Sequence, residues 1–320
     1  MTMPNFFVIG SMKCGTTSLY YNLQQHPQVY MSPVKSPDFF YTEDGKWEYN
    51  GAGDIENSNR WAKQKKASTL EEYKALFRGV TDEIAIGDAS PAHLYSPEAP
   101  GLIKRHVPEA KLIAVLRNPA DRAYSAYNFA RQLLLEPLDD FSQALREEEE
   151  RKRNDWDWLY HYRSFGFYAT QLERYYEKFD REQIRVFLYE DQKDDPIGFT
   201  QEVFRFLGVD DTFVPDTSWK FNVGGIPKNR ALHRLITRPN PLKTGFKKVL
   251  PAGWTRQMYE RVKGMNLTKT PPLREEDRRE LIEGYRQEIL RLQDLIQRDL
   301  SGWLQTEGSY APKGQRVLSS

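Results

Sequence analysis

A segment near the start of the chain has the spacing of a phosphate-binding loop. Residues 10–17 read Gly-Ser-Met-Lys-Cys-Gly-Thr-Thr between an apolar run and a helical pattern, a position where backbone N–H groups and a helix start can hold phosphate. Against the pattern G-x-x-x-x-G-K-[ST], both glycines and Thr17 match, but Thr16 occupies the lysine position and the lysine stands earlier, at Lys13. The segment predicts a modified loop in which Lys13 reaches the bridging oxygen of a leaving group and the threonines bind a 5′-phosphate. A strand–helix turn without a ligand is the alternative.

A second basic residue follows another apolar run. Arg117 comes after residues 111–116, and Asn118-Pro119 then open a helical segment that carries Ser125; proline is favoured at a helix start. Ligands of open α/β sheets bind at the carboxyl ends of the strands, and arginine binds phosphate through paired hydrogen bonds. We therefore expect Arg117 and Ser125 to bind another phosphate near the first loop. A structural salt bridge is the alternative for Arg117.

The elements that position these motifs follow from hydrophobic patterning. Short runs rich in Val, Ile and Phe alternate with helical patterns, which is typical of buried parallel strands and crossover helices. The sequence predicts an α/β fold with a central parallel sheet flanked by helices. The strands are expected at residues 5–10, 83–88, 111–117 and 184–190, and the helices at 18–25, 70–77, 120–132, 165–179 and 197–207, with a C-terminal helix over 273–299.

We expect one domain over residues 1–305 and a frayed tail over 306–320. Residues 221–270 are rich in Gly, Pro, Lys and Arg, which predicts an irregular and partly mobile segment. Residues 156–165 are strongly aromatic, and they either pack on the sheet or wall an acceptor pocket.

Composition excludes several classes of partner. Lys and Arg number 46 against 45 Asp and Glu, so no global positive field recruits nucleic acid or anionic lipid. The single cysteine, Cys14, excludes a disulfide framework and a multi-thiolate metal site, and it fits a reducing compartment. The apolar run at residues 6–9 is too short for a signal peptide or a membrane span. We expect a cytoplasmic protein with no metal and no nucleic-acid or membrane partner; its oligomeric state is not readable.

Together the two motifs resemble the sulfotransferases that use 3′-phosphoadenosine 5′-phosphosulfate (PAPS). The run from Lys13 to Ser18 is similar to their 5′-phosphosulfate loop, and Arg117 with Ser125 is similar to their 3′-phosphate motif. Weaker similarity at residues 87–91, 189–191 and 222–230 extends the resemblance over most of residues 5–230.

The resemblance implies a P-loop-like sheet, PAPS as donor, 3′,5′-adenosine bisphosphate as product and no metal. It assigns donor binding to Lys13, Gly15, Thr16, Thr17, Ser18, Arg117 and Ser125. It also matches Lys228, Asn229 and Arg230 with a basic loop that closes over the nucleotide; a solvated basic turn is the alternative for these three residues.

The chain departs from the family at the expected acceptor base. Relatives carry a glutamate directly after the lysine that matches Lys35, where this chain has Ser36. His93 is the preferred replacement because an ordinary histidine titrates near neutrality. Asp38 follows as the second candidate and Asp88, at a strand end, as the third; an amine acceptor would need no base. Lys35 and Asp88 are also expected to bind the acceptor.

These predictions describe an enzyme that transfers a sulfuryl group from PAPS to a hydroxyl or amine of a small metabolite. The loosely held moving group leaves alignment and charge neutralisation as the main catalytic tasks, and Lys13 is the expected neutralising charge. A P-loop kinase is one alternative, with Asp88 as a magnesium ligand, but Thr16 opposes it. A catalytically inactive nucleotide-binding protein of the same fold is the other alternative.

Overall fold

The computed structural model describes residues 2–43, 50–53, 55, 59, 67–218, 225–237 and 266–306. Its main sheet has five parallel strands in the order β2-β3-β1-β4-β5. The strands are β1 (Phe6–Gly10), β2 (Val29–Met31), β3 (Ala85–Ala89), β4 (Lys111–Leu116) and β5 (Ile184–Leu188). The predicted fold class is therefore confirmed, with one short strand, β2, beyond those that the sequence predicts.

The helices of the described residues pack around this sheet. They are α1 (Thr16–Gln24), α2 (Leu70–Ala75), α3 (Ala99–His106), α4 (Pro119–Gln132), α5 (Phe141–Arg146), α6 (Glu148–Arg153), α7 (Tyr168–Tyr176), α8 (Tyr189–Asp194), α9 (Pro196–Leu207), α10 (Arg230–Thr237) and α11 (Glu275–Ile296). No helix in this part of the chain combines the length and apolar character needed to cross a membrane.

Strand β1 shows how the sheet is buried on both faces. Phe7 and Ile9 belong to one hydrophobic cluster, whereas Phe6 and Val8 belong to another on the opposite face. Successive side chains of a strand point to opposite faces, so an unbroken apolar run is what a doubly covered strand requires. All five residues of β1 are buried.

The register brings the carboxyl ends of neighbouring strands to one edge. Phe6 of β1 pairs with Gly87 of β3 and with Lys111 of β4. The chain leaves this edge into the loop before α1, into the segment after Ala89, and through Arg117 into α4. The sheet therefore places the predicted motifs at one common edge, where open α/β sheets bind their ligands.

Helix α4 begins where the sequence predicts. The Asn118 side chain accepts hydrogen bonds from the N–H groups of Ala120 and Asp121, and Pro119 occupies the first helical position. The Asn118 amide also donates to the carbonyl oxygen of Trp303 at 3.1 Å. The start of α4, which directly follows Arg117, is thus fixed from both the helix and the C-terminal segment.

The late segment contains more regular structure than expected. Strand β6 (Ile226–Pro227) pairs antiparallel with β7 (Leu267–Thr268) and packs against α4, and α10 follows β6. The expectation of an irregular segment is wrong for these residues, because short strands and capped helices tolerate its glycines and prolines at their ends. Residues 221–224 and 238–265 of the predicted mobile segment lie outside the described residues, as do residues 307–320 of the predicted tail.

The aromatic segment at residues 156–165 contributes mainly to packing. Tyr160, Tyr162 and Phe165 are buried, and Phe165 stacks on Tyr95 with ring centroids 4.0 Å apart. Trp158 is half-buried. The packing alternative therefore holds for the three buried rings.

Candidate active site

The loop between β1 and α1 has a backbone shape that depends on glycine. Gly15 caps α1 with a φ of 82°, in the left-handed region, and Lys13 has a φ of 69°. A Cβ at Gly15 would lie 1.9 Å from Oε1 of Gln192, whose Nε2 donates to the Gly15 carbonyl oxygen at 3.3 Å. Helix α8, which carries Gln192, therefore holds the loop from the side and leaves no room for another side chain.

The first turn of α1 offers polar groups at the end of the loop. Thr16 is buried, and Thr17 and Ser18 are half-buried. No acidic residue stands in this turn, so the positive end of the helix dipole is not neutralised within it. The turn has the features of an anion-binding helix start.

Three cations gather beside this helix start. The Nζ atom of Lys13 lies 4.1 Å from the ring centroid of Phe129 on α4, and the Arg117 guanidinium lies 4.9 Å from the ring centroid of Tyr189. Burial lowers the pKa of Lys13 to about 8, and the positive charges of Arg117 and Lys35 lower it as well. The sheet edge therefore concentrates positive charge, as a site for a multiply charged anion requires.

Ser125 shares the helix face that meets the loop. It is half-buried on α4 and precedes Phe129 by four residues, so the two side chains lie on the same side of the helix. Since Phe129 contacts Lys13, Ser125 faces the same region. The structure thus brings Arg117 close to Lys13 and places Ser125 on the side of α4 that carries Phe129. That Arg117 and Ser125 bind a phosphate stays a prediction.

A buried carboxylate, that of Asp88, lies near the carboxyl end of β3 and acts electrostatically on Lys35. The two oxygens of Asp88 accept hydrogen bonds from the Tyr73 hydroxyl at 2.7 Å and the Ser90 hydroxyl at 2.6 Å. The Ser90 oxygen in turn accepts from the N–H of Asp38 at 2.9 Å. Burial raises the pKa of Asp88 to about 7, although both hydrogen bonds and the charge of Lys35 oppose the rise. Asp88 therefore titrates near neutrality.

Lys35 connects these carboxylates with the phosphate loop. Burial lowers its pKa to about 8, and the negative charges of Asp38 and Asp88 oppose that shift. Its Nζ atom donates to the Ser36 hydroxyl at 3.4 Å. Lys35 also acts electrostatically on Lys13, so its charge affects both the lysine of the phosphate loop and the two carboxylates.

His93 has a different environment. Its side chain is fully buried, with ring centroids 6.4 Å from Phe7 and 6.3 Å from Phe40. Its backbone carbonyl oxygen accepts from the Tyr175 hydroxyl at 2.8 Å. The structure places the preferred base candidate in the aromatic core, and its role stays a prediction that requires the ring to become accessible.

The late basic residues are exposed and held by local contacts. The N–H of Lys228 donates to the carbonyl oxygen of Asn266 at 2.7 Å, and the Asn229 carbonyl oxygen accepts from the Asn266 amide at 3.1 Å. The Arg230 guanidinium pairs with Asp139 at 2.7 Å. Closure of these residues over a nucleotide stays a prediction, and for Arg230 it would require that ion pair to break.

The side chains that support the binding residues carry little signal of this role in the sequence. Gln192 holds Gly15, Phe129 supports Lys13, and the Tyr189 ring supports Arg117. Only Tyr189 carried a sequence signal, because it directly follows β5 at the binding edge of the sheet. The other two cannot be told from ordinary packing residues by pattern alone.

The sheet and its modified phosphate loop define a P-loop-like α/β protein. The sequence profile of the sulfotransferase domain matches residues 3–222. The crystal structure of a sulfotransferase from Alicyclobacillus acidocaldarius superposes with a TM-score of 0.73 at 32% identity, over 95% of this chain and all of that one. The chain belongs to the sulfotransferase family, which confirms the predicted family and enzyme class.

Two curated relatives extend the comparison. The membrane-associated sulfotransferase kil1 of Dictyostelium discoideum is 33% identical over 153 residues, which are 46% of this chain and 28% of that protein. The bifunctional heparan sulfate N-deacetylase/N-sulfotransferase 4 of Mus musculus is 28% identical over 319 residues, 95% of this chain and 31% of the relative. The chain thus spans less than a third of the length of either relative.

Proposed function

We propose that this protein transfers the sulfuryl group of PAPS to a hydroxyl or amine of a small metabolite and releases 3′,5′-adenosine bisphosphate. The observation that carries the proposal is the convergence of Lys13, Arg117 and Lys35 beside the start of α1. Three cations at a helix start suit a ligand with two separate phosphate groups, such as a 3′-phosphorylated nucleotide.

The residues fit the donor in two parts. The loop from Lys13 to Ser18 would hold the 5′-phosphosulfate, and the left-handed conformation of Gly15 shapes its turn into α1. Arg117 and Ser125 would hold the 3′-phosphate at the start of α4. When bound, PAPS supplies the sulfuryl group and a phosphate leaving group.

Lys13 performs the central electrostatic task in this proposal. Its ammonium neutralises negative charge that develops on the leaving-group oxygen, and a charge placed in advance at a dehydrated site stabilises a transition state strongly. The sulfonate carries less charge than a terminal phosphate, so we expect no dedicated metal ion, as the sequence also suggested.

The acceptor is proposed to bind beside Lys35. A base there must take the acceptor proton, and Asp38 and Asp88 both lie close enough to Lys35 to act on its charge. The pKa of Asp88, about 7, suits proton transfer near neutrality. These carboxylates are therefore the favoured bases, and His93, which the sequence favoured, becomes the alternative. Asp88 is as fully buried as His93, so either residue would have to become accessible to the acceptor in order to act.

A carbohydrate acceptor is the second candidate. It is favoured by the relative named as a heparan sulfate N-sulfotransferase, whose match covers 95% of this chain. A P-loop kinase is not favoured, because Thr16 replaces the lysine of that pattern. Cytoplasmic localisation, and the lack of nucleic-acid or membrane partners, stay predictions.

A product screen tests the proposal. The protein is incubated with PAPS and, separately, with phenols, alkyl alcohols, amines and N-desulfated heparan oligosaccharides, and mass spectrometry detects sulfated products. We expect a product in a small-molecule arm that Lys13→Ala does not form. A product only in the oligosaccharide arm would show that the acceptor is a carbohydrate and not a small metabolite. Binding of the bisphosphate with no product in any arm would favour the inactive-protein alternative.

A further inference from the structure

Arg122 is a wholly buried arginine in the second turn of α4. Its exposed fraction is 0%, and its guanidinium lies 5.5 Å from the ring centroid of Phe165. One nitrogen, Nη2, donates to the Tyr162 carbonyl oxygen, and the guanidinium acts on the Tyr285 hydroxyl through its charge and a side-chain hydrogen bond. Within the described residues, Nε and Nη1 have no hydrogen-bond partner. A buried polar group left without partners is costly, and a charged one more so.

No carboxylate among the described residues forms an ion pair with Arg122. Two carboxylates act on the same groups as Arg122 does: Glu148 on the Tyr285 hydroxyl and Glu190 on the Cys14 thiol. Neither is paired with Arg122, and Glu148 also lies 3.6 Å from the Nζ atom of Lys152. The Glu148 oxygens already accept from the N–H groups of Arg163 and Ser164 and from the Ser164 hydroxyl. The charge of Arg122 is therefore not neutralised by direct pairing in the part of the chain that the structure describes.

Another buried arginine shows the usual arrangement. Arg151 is buried on α6 and pairs with Glu136 through two hydrogen bonds of 2.7 and 3.0 Å. Buried arginines are expected to have such a partner, because desolvation of a lone charge is not otherwise offset. Arg122 lacks one although its surroundings are equally buried.

The position of Arg122 connects it with the donor site. The Tyr168 hydroxyl donates to the Arg117 carbonyl oxygen at 3.1 Å and lies 3.9 Å from Sγ of Cys14 in the phosphate loop. Burial raises the pKa of Cys14 to about 11, and the largest opposing charge is Arg122. Arg122 also precedes Ser125 by three residues on α4, which places the two on neighbouring positions of one face. Its charge therefore acts on the loop assigned to the 5′-phosphosulfate, and its side chain lies one helical turn from Ser125.

We propose that Arg122 is a positioning residue for the donor nucleotide, whose un-neutralised charge is offset by the phosphates when they bind. The inference rests on the proposed function. The free protein bears the cost of the lone charge, and the complex recovers part of it across a medium of low polarity. Removal of the charge should then weaken nucleotide binding without destabilising the free protein.

The test compares variants by calorimetry with 3′,5′-adenosine bisphosphate and by chemical unfolding. Arg122→Met keeps most of the side-chain volume but not the charge. We expect it to raise the dissociation constant at least about tenfold, while the free protein unfolds at the same or a higher denaturant concentration. Arg122→Lys keeps the charge and should retain most of the affinity. If the Met variant does not fold, Arg122→Gln, which keeps a donor for the Tyr162 carbonyl, replaces it.

Arg151→Met is the matched control. It leaves the buried Glu136 carboxylate without its ion-pair partner, so the free protein should lose stability while the bisphosphate affinity stays unchanged. The inference is overturned if Arg122→Met destabilises the free protein and leaves the affinity intact, or if Arg122→Lys binds as weakly as Arg122→Met. Failure of the wild-type protein to bind the bisphosphate would instead overturn the proposed function.

Discussion

The ammonium of Lys13 rests on the ring of Phe129, with Nζ 4.1 Å from the ring centroid. An aromatic face attracts a cation and holds it in a partly dehydrated place. Arg117 is held in the same way by Tyr189. The two cations that we assign to the donor phosphates are thus positioned by aromatic rings from α4 and α8.

Lys13→Ala should abolish most sulfuryl transfer and leave the fold intact. The change removes a charge from a loop, and loss of one such stabilising group lowers kcat by about 100-fold or more. Steady-state kinetics and thermal unfolding measure the two effects. Lys104→Ala is the control. Lys104 stands in the last turn of α3, outside the donor site, and its Nζ atom lies 4.9 Å from the ring centroid of Phe179. A Lys13→Ala enzyme with near-normal kcat would remove Lys13 from the mechanism.

Gly15→Ala should destabilise the loop and weaken nucleotide binding. Its φ of 82° is unfavourable for alanine, and the new Cβ would meet Gln192 at 1.9 Å. We expect a loss of more than about 1 kcal/mol in the free energy of unfolding. Gly284→Ala is the control: it lies inside α11 with no atom within 4 Å of the new Cβ, and it should stabilise the protein by about 0.5–1 kcal/mol. Equal effects of the two substitutions would show that the loop shape is not constrained.

Affinity for the bisphosphate should fall as the pH rises. Lys13 and Lys35 have pKa values of about 8 in the free protein. An anion favours their charged forms, so binding takes up protons once the pH exceeds 8, and affinity is full only below that value. The phosphates themselves are deprotonated in this range.

We expect the dissociation constant of the bisphosphate to rise at least about tenfold between pH 7 and pH 9. Calorimetry in two buffers of different ionisation enthalpy should also show proton uptake at high pH. Lys13→Arg keeps the charge at all of these pH values and should reduce the dependence. A constant affinity over this range would mean that neither lysine faces the phosphates.

The pH profile of kcat/KM should identify the acceptor base when it is combined with substitutions. With Asp88 as base, the rate rises through an ionisation near pH 7, because the pKa of Asp88 is about 7 and the charged form accepts the proton. Asp88→Asn, which hardly changes the shape of the side chain, should remove the pH-dependent rise and most of the rate. Asp38→Asn and His93→Ala are the comparisons. Loss of the pH-dependent rise in His93→Ala with a normal profile in both Asn variants would restore His93 as the base.

The sheet was predictable because its central strands stand out in the sequence as continuous apolar runs. Strand β4 (Lys111–Leu116) is an apolar run buried on both faces, and α4 begins at an Asn-Pro pair that sequence rules recognise. Strand β2, of three residues, is too short to give a pattern and was missed. The boundaries of the remaining strands shift by one or two residues at their ends.

The candidate site was predictable only where sheet topology controls it. Lys13 and Arg117 both follow strands of one sheet, so their meeting at its edge could be inferred from chain order. The contact of Gln192 with Gly15 joins residues far apart in sequence, and no periodicity encodes it. The burial of His93 depends likewise on Phe7 and Phe40 from other elements, and the lone charge of Arg122 is visible only once its neighbours are known.

The most direct test of the central claim is a comparison of nucleotide affinities with the same preparation of protein. Calorimetry would measure 3′,5′-adenosine bisphosphate and 5′-AMP in the presence of EDTA, and ATP with added magnesium. Because Arg117 and Ser125 are assigned to the 3′-phosphate, the bisphosphate should bind at least about tenfold more tightly than either other nucleotide. Arg117→Ala should reduce the affinity for the bisphosphate to the affinity for 5′-AMP. Tightest binding of magnesium–ATP, with no preference for a 3′-phosphate, would contradict the account.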